Sequence, residues 1–258
     1  MNELIQHLVN ALILGGTYAL LGIGLTLIFG IMNVVNFTHG ALYTVGAYVM
    51  YLAVAALGLN FFLALPVAIL GGLLLGAAIE LLLLRPFRGS DIDTTMLVMI
   101  GAGIVLQSGT LWTFGGVAKA IPSPFPEAPL QVGPVSVSWL RLFVLGAALT
   151  LIALTYALIN RTKLGLAMRA AFQDSDTAAL MGVDVRRIYT ATFALGSSLA
   201  AAAGALLGPV YVVFPQMGGL AELKAFAIVI LGGLGNVTGA TIGGFILALA
   251  DELGAGYV

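Results

Sequence analysis

Leu4 to Ile79 reads LIQHLVNALILGGTYALLGIGLTLIFGIMNVVNFTHGALYTVGAYVMYLAVAALGLNFFLALPVAILGGLLLGAAI, without one Asp, Glu, Lys or Arg. At about 20 residues per crossing, that stretch holds three membrane spans. A soluble core could not use it, because nothing in it would face water. The rest of the chain follows suit: of 258 residues, 60% are hydrophobic and only 8% charged, with mean hydropathy +1.10. A soluble domain would be about 25% charged. The apolar runs are unbroken and too long for the alternation of a membrane β-barrel. The fold class that follows is all-α: a polytopic transmembrane helical bundle forming one domain over 1–258.

Windows with at most one charge put about seven spans near 8–30, 37–57, 61–84, 94–114, 140–160, 187–213 and 224–250. The links between them sort by charge. Segment 85–93 carries Arg85 and Arg88, and 161–187 carries Arg161, Lys163, Arg169, Arg186 and Arg187. Segment 115–139 has only Lys119 near its start, and 214–222 has no basic residue. Lys and Arg resist translocation, so the first pair is expected in the cytoplasm and the second pair outside. Counting back places the N-terminus outside, provided the first helix is unbroken. No basic n-region precedes the first apolar run, which therefore reads as a retained span and not a signal peptide. With no Cys, disulfides and thiolate catalysis are excluded.

Pro122, Pro124, Pro126 and Pro129 predict an extended, stiff outer cap. Gly196, Ala200, Gly204 and Gly208 recur every four residues, which makes one small-residue seam for close helix packing or for a pore lining.

The segment 161–187 holds eight of the 21 formal charges, being 10 basic plus 11 acidic in the whole chain. Asp174, Ser175 or Asp176 can cap a helix N-terminus. Thr177-Ala-Ala-Leu-Met continues it, and Gly182 stands where a left-handed residue would end it. Asp184 can cap the next helix. The outcome is a short helix between two spans, with Leu180 and Met181 as its bulky apolar residues. Such a helix can dock in a partner's groove, or rest on anionic lipid.

The run Leu164-Gly-Leu-Ala-Met-Arg-Ala-Ala-Phe-Gln-Asp-Ser-Asp-Thr-Ala-Ala-Leu-Met-Gly-Val resembles the EAA-type cytoplasmic loop of ABC importer permeases. Together with Gly30-Ile-Met-Asn-Val-Val-Asn-Phe-Thr-His-Gly-Ala-Leu-Tyr and Leu231-Gly-Gly-Leu-Gly-Asn-Val-Thr-Gly-Ala-Thr-Ile-Gly-Gly, it resembles the LivH-type branched-chain amino acid permeases. The resemblance runs over nearly the whole chain, in order. It implies an importer of two homologous permease subunits, two ATP-binding cassette subunits and a periplasmic or lipid-anchored solute-binding protein, in a bacterial-type cytoplasmic (inner) membrane. It also implies that the loop helix is the element gripped by the ATPases, through Arg169, Asp174, Ala178, Ala179, Leu180, Met181 and Gly182. Family members usually run on through a final span and a short tail. This chain stops at Gly256-Tyr257-Val258, so it is expected to lack that span.

Two polar breaks interrupt the apolar windows: Asn33, Asn36, Thr38 and His39 in the first, Asn236 and Thr238 in the second. They share a pattern, Gly30-x-x-Asn33-Val34 with Gly40 and Gly233-x-x-Asn236-Val237 with Gly243. Paired Gly-interrupted segments point to a transport path, and those six polar residues are its candidates. The first break also reads as a tight cytoplasmic turn, and His39 as a hydrogen-bonded packing residue. The sequence has no G-x-x-x-x-G-K-[ST] loop, no metal-ligand cluster and no nucleophile–base set, so the chain is expected to bind no cofactor, metal or nucleic acid and to catalyse nothing. Related permeases for urea, short amides or sugars stay open as alternatives. So does an ion-driven secondary transporter, although no span interior carries a clear Asp or Glu for it.

Overall fold

The computed structural model describes residues 2–133 and 135–257; Met1, Pro134 and the terminal Val258 lie outside the described residues. The elements are α1 (Asn2–Met32), α2 (His39–Tyr51), α3 (Phe61–Ile79), α4 (Ile92–Phe114), a hairpin of β1 (Leu130–Val132) and β2 (Val135–Val137), α5 (Trp139–Arg161), α6 (Lys163–Gln173), α7 (Ser175–Leu180), α8 (Val185–Leu207), α9 (Met217–Gly232) and α10 (Val237–Tyr257). Wider π turns over Leu52–Ala56 and Glu80–Leu84 extend α2 and α3. Seven of the described helices are long and apolar enough to cross a membrane: α1, the extended α2 and α3, α4, α5, α8 and α10.

Helices α1 and α8 are the most enclosed. In lipid no hydrophobic force separates helix from tail, so packing depends on close backbone approach. The seam on α8 supplies that approach. Gly196 lies against Gly24 of α1, Gly204 against the Tyr43 carbonyl of α2, and Gly208 against Ile121 of the outer segment. A Cβ on Gly196 would come within 2.6 Å of the Gly24 carbonyl oxygen. The seam packs helices; it lines no pore in the single chain.

The two groups of links fall at opposite ends of the bundle. At one end Arg88 pairs with Glu80, reaches the Arg186 carbonyl at 3.4 Å and lies 5.1 Å from the Tyr189 ring centroid. That joins 85–93 to the start of α8. At the other end Lys119 and Val213 exchange backbone hydrogen bonds, and Phe125 of the proline-rich segment packs on Phe61, Phe62 and Phe143. Gln6 near the N-terminus bonds Ser136 of β2, so the N-terminus shares that second end.

The C-terminal window differs from expectation. Residues 224–250 do not form one span, because the chain reverses at Gly233–Asn236. Gly232 meets Gly239, Gly243 meets the Ile228 carbonyl, and Lys224 binds Asp251 at 2.6 Å, so α9 and α10 form an antiparallel hairpin. Gly233 and Gly235 have φ of +86° and +81°, which is why glycine makes the turn. With 16 residues, α9 is about 24 Å long, shorter than the roughly 30 Å apolar layer.

Candidate functional site

The basic link is built from two helices, where one was expected. Thr162 caps α6, its hydroxyl oxygen accepting from the Gly165 N–H at 3.0 Å. Met168 and Ala171 of α6 bury against Ile31 and Ile188, seating the helix beneath α1 and α8. Asp174 caps α7: one carboxylate oxygen accepts from the Asp176 and Thr177 N–H groups at 3.0 Å, the other from the Thr177 hydroxyl at 2.7 Å. The Thr177 backbone bond first, then its hydroxyl, hold the Asp174 carboxyl below the usual carboxylate range.

Gly182 ends α7 at φ +90°, and the Val183 N–H returns to the Ala178 carbonyl at 3.0 Å. Asp184 then caps α8 through the Arg187 N–H. Between these stops Ala178 is buried, Ala179 is exposed, and Leu180 and Met181 are 88% and 81% exposed. Arg169 is set apart from that surface. Its guanidinium turns back to the Ile159 carbonyl at the end of α5, satisfying a helix C-terminus.

The two polar breaks meet at their glycines. Gly30 and Gly235 touch at the basic end, and the Phe172 ring of α6 lies over both. Asn236 stays there, where its side chain accepts from the Gly239 N–H at 2.9 Å and opens α10. Thr238 bonds Tyr156 of α5. Residues 33–39 leave in another direction. Asn33 turns out of α1 at φ +51° and is exposed, whereas Asn36, Thr38 and His39 are fully buried. The chain therefore climbs back into the bundle before α2 begins, so the break is neither a simple surface turn nor a kink within one span. The Thr38 N–H donates to the Asn36 side-chain oxygen at 3.0 Å, and His39 Nε2 donates to the Leu21 carbonyl at 3.0 Å. Asn36 Nδ2 and His39 Nδ1 are buried with no hydrogen-bond partner.

Because α2 starts inside the protein, its first N–H groups need a partner there. Thr38 gives none from its side chain. The Glu222 carboxylate of α9 lies against this start, with one oxygen 2.9 Å from where a Cβ on Gly40 would project. Two residues on, Lys224 binds Asp251 and Tyr18, the latter near the midpoint of α1, so this stretch of α9 runs through the middle of the bundle. Glu222 and the Lys224–Asp251 pair therefore lie among the packed helices, although the sequence showed no clear Asp or Glu in a span interior. Glu222, Lys224 and Asp251 stand at the edges of the 224–250 window in the sequence. Only the hairpin shows that Lys224 and Asp251 pair within it.

Glu222 borders a cavity of about 220 Å³ between α2, α4 and α9. Phe37, Ala41, Thr44, Ile104 and Gln107 line it as well. A second cavity, of about 370 Å³, lies at the hairpin turn beside Asn236 and Thr238. Among the described residues no group of three His, Cys, Asp or Glu could hold a metal ion.

The family described as branched-chain amino acid transport system / permease component matches residues 7–258. The chain belongs to that family. It is 35% identical to the high-affinity branched-chain amino acid transport system permease protein BraD of Pseudomonas aeruginosa, over 97% of this chain and 86% of that protein. It is also 35% identical to the LivH permease protein of Escherichia coli K12, over 98% of this chain and 87% of that one. LivM of the same organism is 31% identical over 92% of this chain and 61% of LivM. Among solved structures, PsaBC from Streptococcus pneumoniae in complex with Fab reaches a TM-score of only 0.37 at 18% identity, covering 100% of this chain and 92% of that one. As a family member the chain is a multi-pass membrane permease subunit and not an enzyme.

Proposed function

We propose that this chain is one permease subunit of an ATP-driven importer of branched-chain amino acids in a bacterial-type cytoplasmic membrane. It pairs with a second homologous permease, two ATP-binding cassette subunits and a periplasmic or lipid-anchored solute-binding protein. ATP is bound and hydrolysed on the partners, and this chain holds no cofactor. The observation that carries the reading is α7. It is a six-residue helix with a cap before it and a left-handed glycine after it, holding two large apolar side chains away from the protein at the basic end. An exposed Leu–Met pair on a pre-formed helix is suited to a groove in a soluble partner. Likeness to both LivH and LivM, two permease proteins of one organism's system, supports a paired permease.

The substrate reading is tested by uptake. The assembled transporter should take up labelled leucine, isoleucine and valine, with each competing against the others. Urea, short amides and sugars should not compete. Preference for any of these over leucine would move the substrate to that class.

A further inference from the structure

We infer that the cavity between α2, α4 and α9 is a binding station on the path, where Glu222 receives the ammonium group of an aliphatic amino acid. The inference rests on the permease reading above and adds to it a residue and a chemical group. The cavity holds one charged side chain, Glu222. One carboxylate oxygen lies against Gly40, 2.9 Å from where a Cβ there would project. A carboxylate accepts about four hydrogen bonds, and an ammonium offers three donors. Thr44 and Gln107 add polar atoms, whereas Phe37 and Ile104 give an apolar wall for a branched side chain.

A carboxylate facing lipid would be costly, and ionisable groups within a bundle ordinarily face a watery path or pair with one another. Lys224, the nearest cation in sequence, is engaged with Asp251 and Tyr18. Ile104 and Gln107 are exposed in the single chain, so this face of α4 is open to what passes or what pairs there.

Glu222→Gln is the informative substitution, because it keeps the size and polarity of the side chain while the charge is gone. In the assembled transporter it should lower leucine uptake about tenfold or more, the scale of a lost charged hydrogen bond. Ala41→Cys places the chain's sole thiol in the cavity. Its labelling, read by mass on this chain, should be several-fold faster with a cationic methanethiosulfonate than with an anionic one. Adding Glu222→Gln should erase that preference. Equal labelling rates with Glu222 present, or uptake within about twofold of wild type in Glu222→Gln, would overturn the inference. Wild-type complexes that take up no leucine would instead refute the permease reading, and the labelling ratio would still decide whether the cavity selects a cation.

Discussion

Phe172 and Gly235 are in contact: the Phe172 ring of α6 occupies the space where a Cβ on Gly235 would project, 2.7 Å away. The helix next to α7 is thereby keyed to the turn of the α9–α10 hairpin and, through Gly30, to the end of α1. A push on α7 has a packed route into the bundle. Gly235→Ala should disturb this key twice, by the ring clash and by placing a Cβ at φ +81°, a strain of about 1–2 kcal/mol. Uptake should fall while membrane insertion persists. Phe172→Ala added to Gly235→Ala should recover part of the loss, since it removes the clash and leaves the strain. No recovery would mean the ring contact transmits nothing.

Gly182→Val should weaken coupling without unfolding the bundle. A β-branched residue at φ +90° is strained by roughly 1–2 kcal/mol, enough to misplace a six-residue helix. Purified complexes should keep their subunits and lose substrate-stimulated ATP hydrolysis. Normal stimulation would remove α7 from the coupling role.

Asp174 gives this helix an acid limit. Its carboxyl is held below the ordinary 3.8 by bonds that only the folded loop supplies. The depressed value means its contribution is present above the unfolded pKa and lost as pH falls through the folded one. Circular dichroism or hydrogen exchange of α7 should therefore show the cap intact down through the usual Asp range and lost below it. Asp174→Ala should show fraying at neutral pH.

The lateral order of the ends is open to a direct check. The protein lacks Cys, so Ser123→Cys and Ser175→Cys are single reporters at opposite ends of the bundle. An impermeant thiol reagent on intact cells should label position 123 and spare 175. The reverse labelling would invert the topology.

Much of this was legible because membrane chains are constrained simply. Charge-free length set the spans, and Lys and Arg in short links set which links share an end. Asp174, Gly182 and Asp184 were readable as stops because caps and left-handed glycines act within a few residues. Residues that depend on distant partners were not. Lys224 and Asp251 stood at the two edges of an apolar window, and nothing local says that the chain doubles back to join them. Glu222 was hidden for the same reason, as Gly40, the residue it lies against, is 182 positions away. The shared Gly-x-x-Asn pattern suggested one place for both breaks. The structure joins their glycines and separates Asn36 from Asn236. Asn36→Leu should accordingly lower uptake by filling a buried polar junction. Asn236→Leu should act mainly by removing a helix cap worth about 1 kcal/mol.

On the proposed function, energy enters this subunit from ATPase partners at the basic end. Concentrating an amino acid 1,000-fold takes about 4.1 kcal/mol, and the chain has no nucleotide loop to supply it. Glu222 makes an ion-driven alternative worth confronting, so the deciding measurement is leucine accumulation in proteoliposomes with ATP, a proton gradient or a sodium gradient. Alone, the chain should accumulate nothing under any of the three; with both permeases, the ATPases and the binding protein, it should accumulate leucine with ATP and with no gradient. Accumulation by the chain alone under an ion gradient would overturn the ATP-driven reading and make this subunit a secondary transporter.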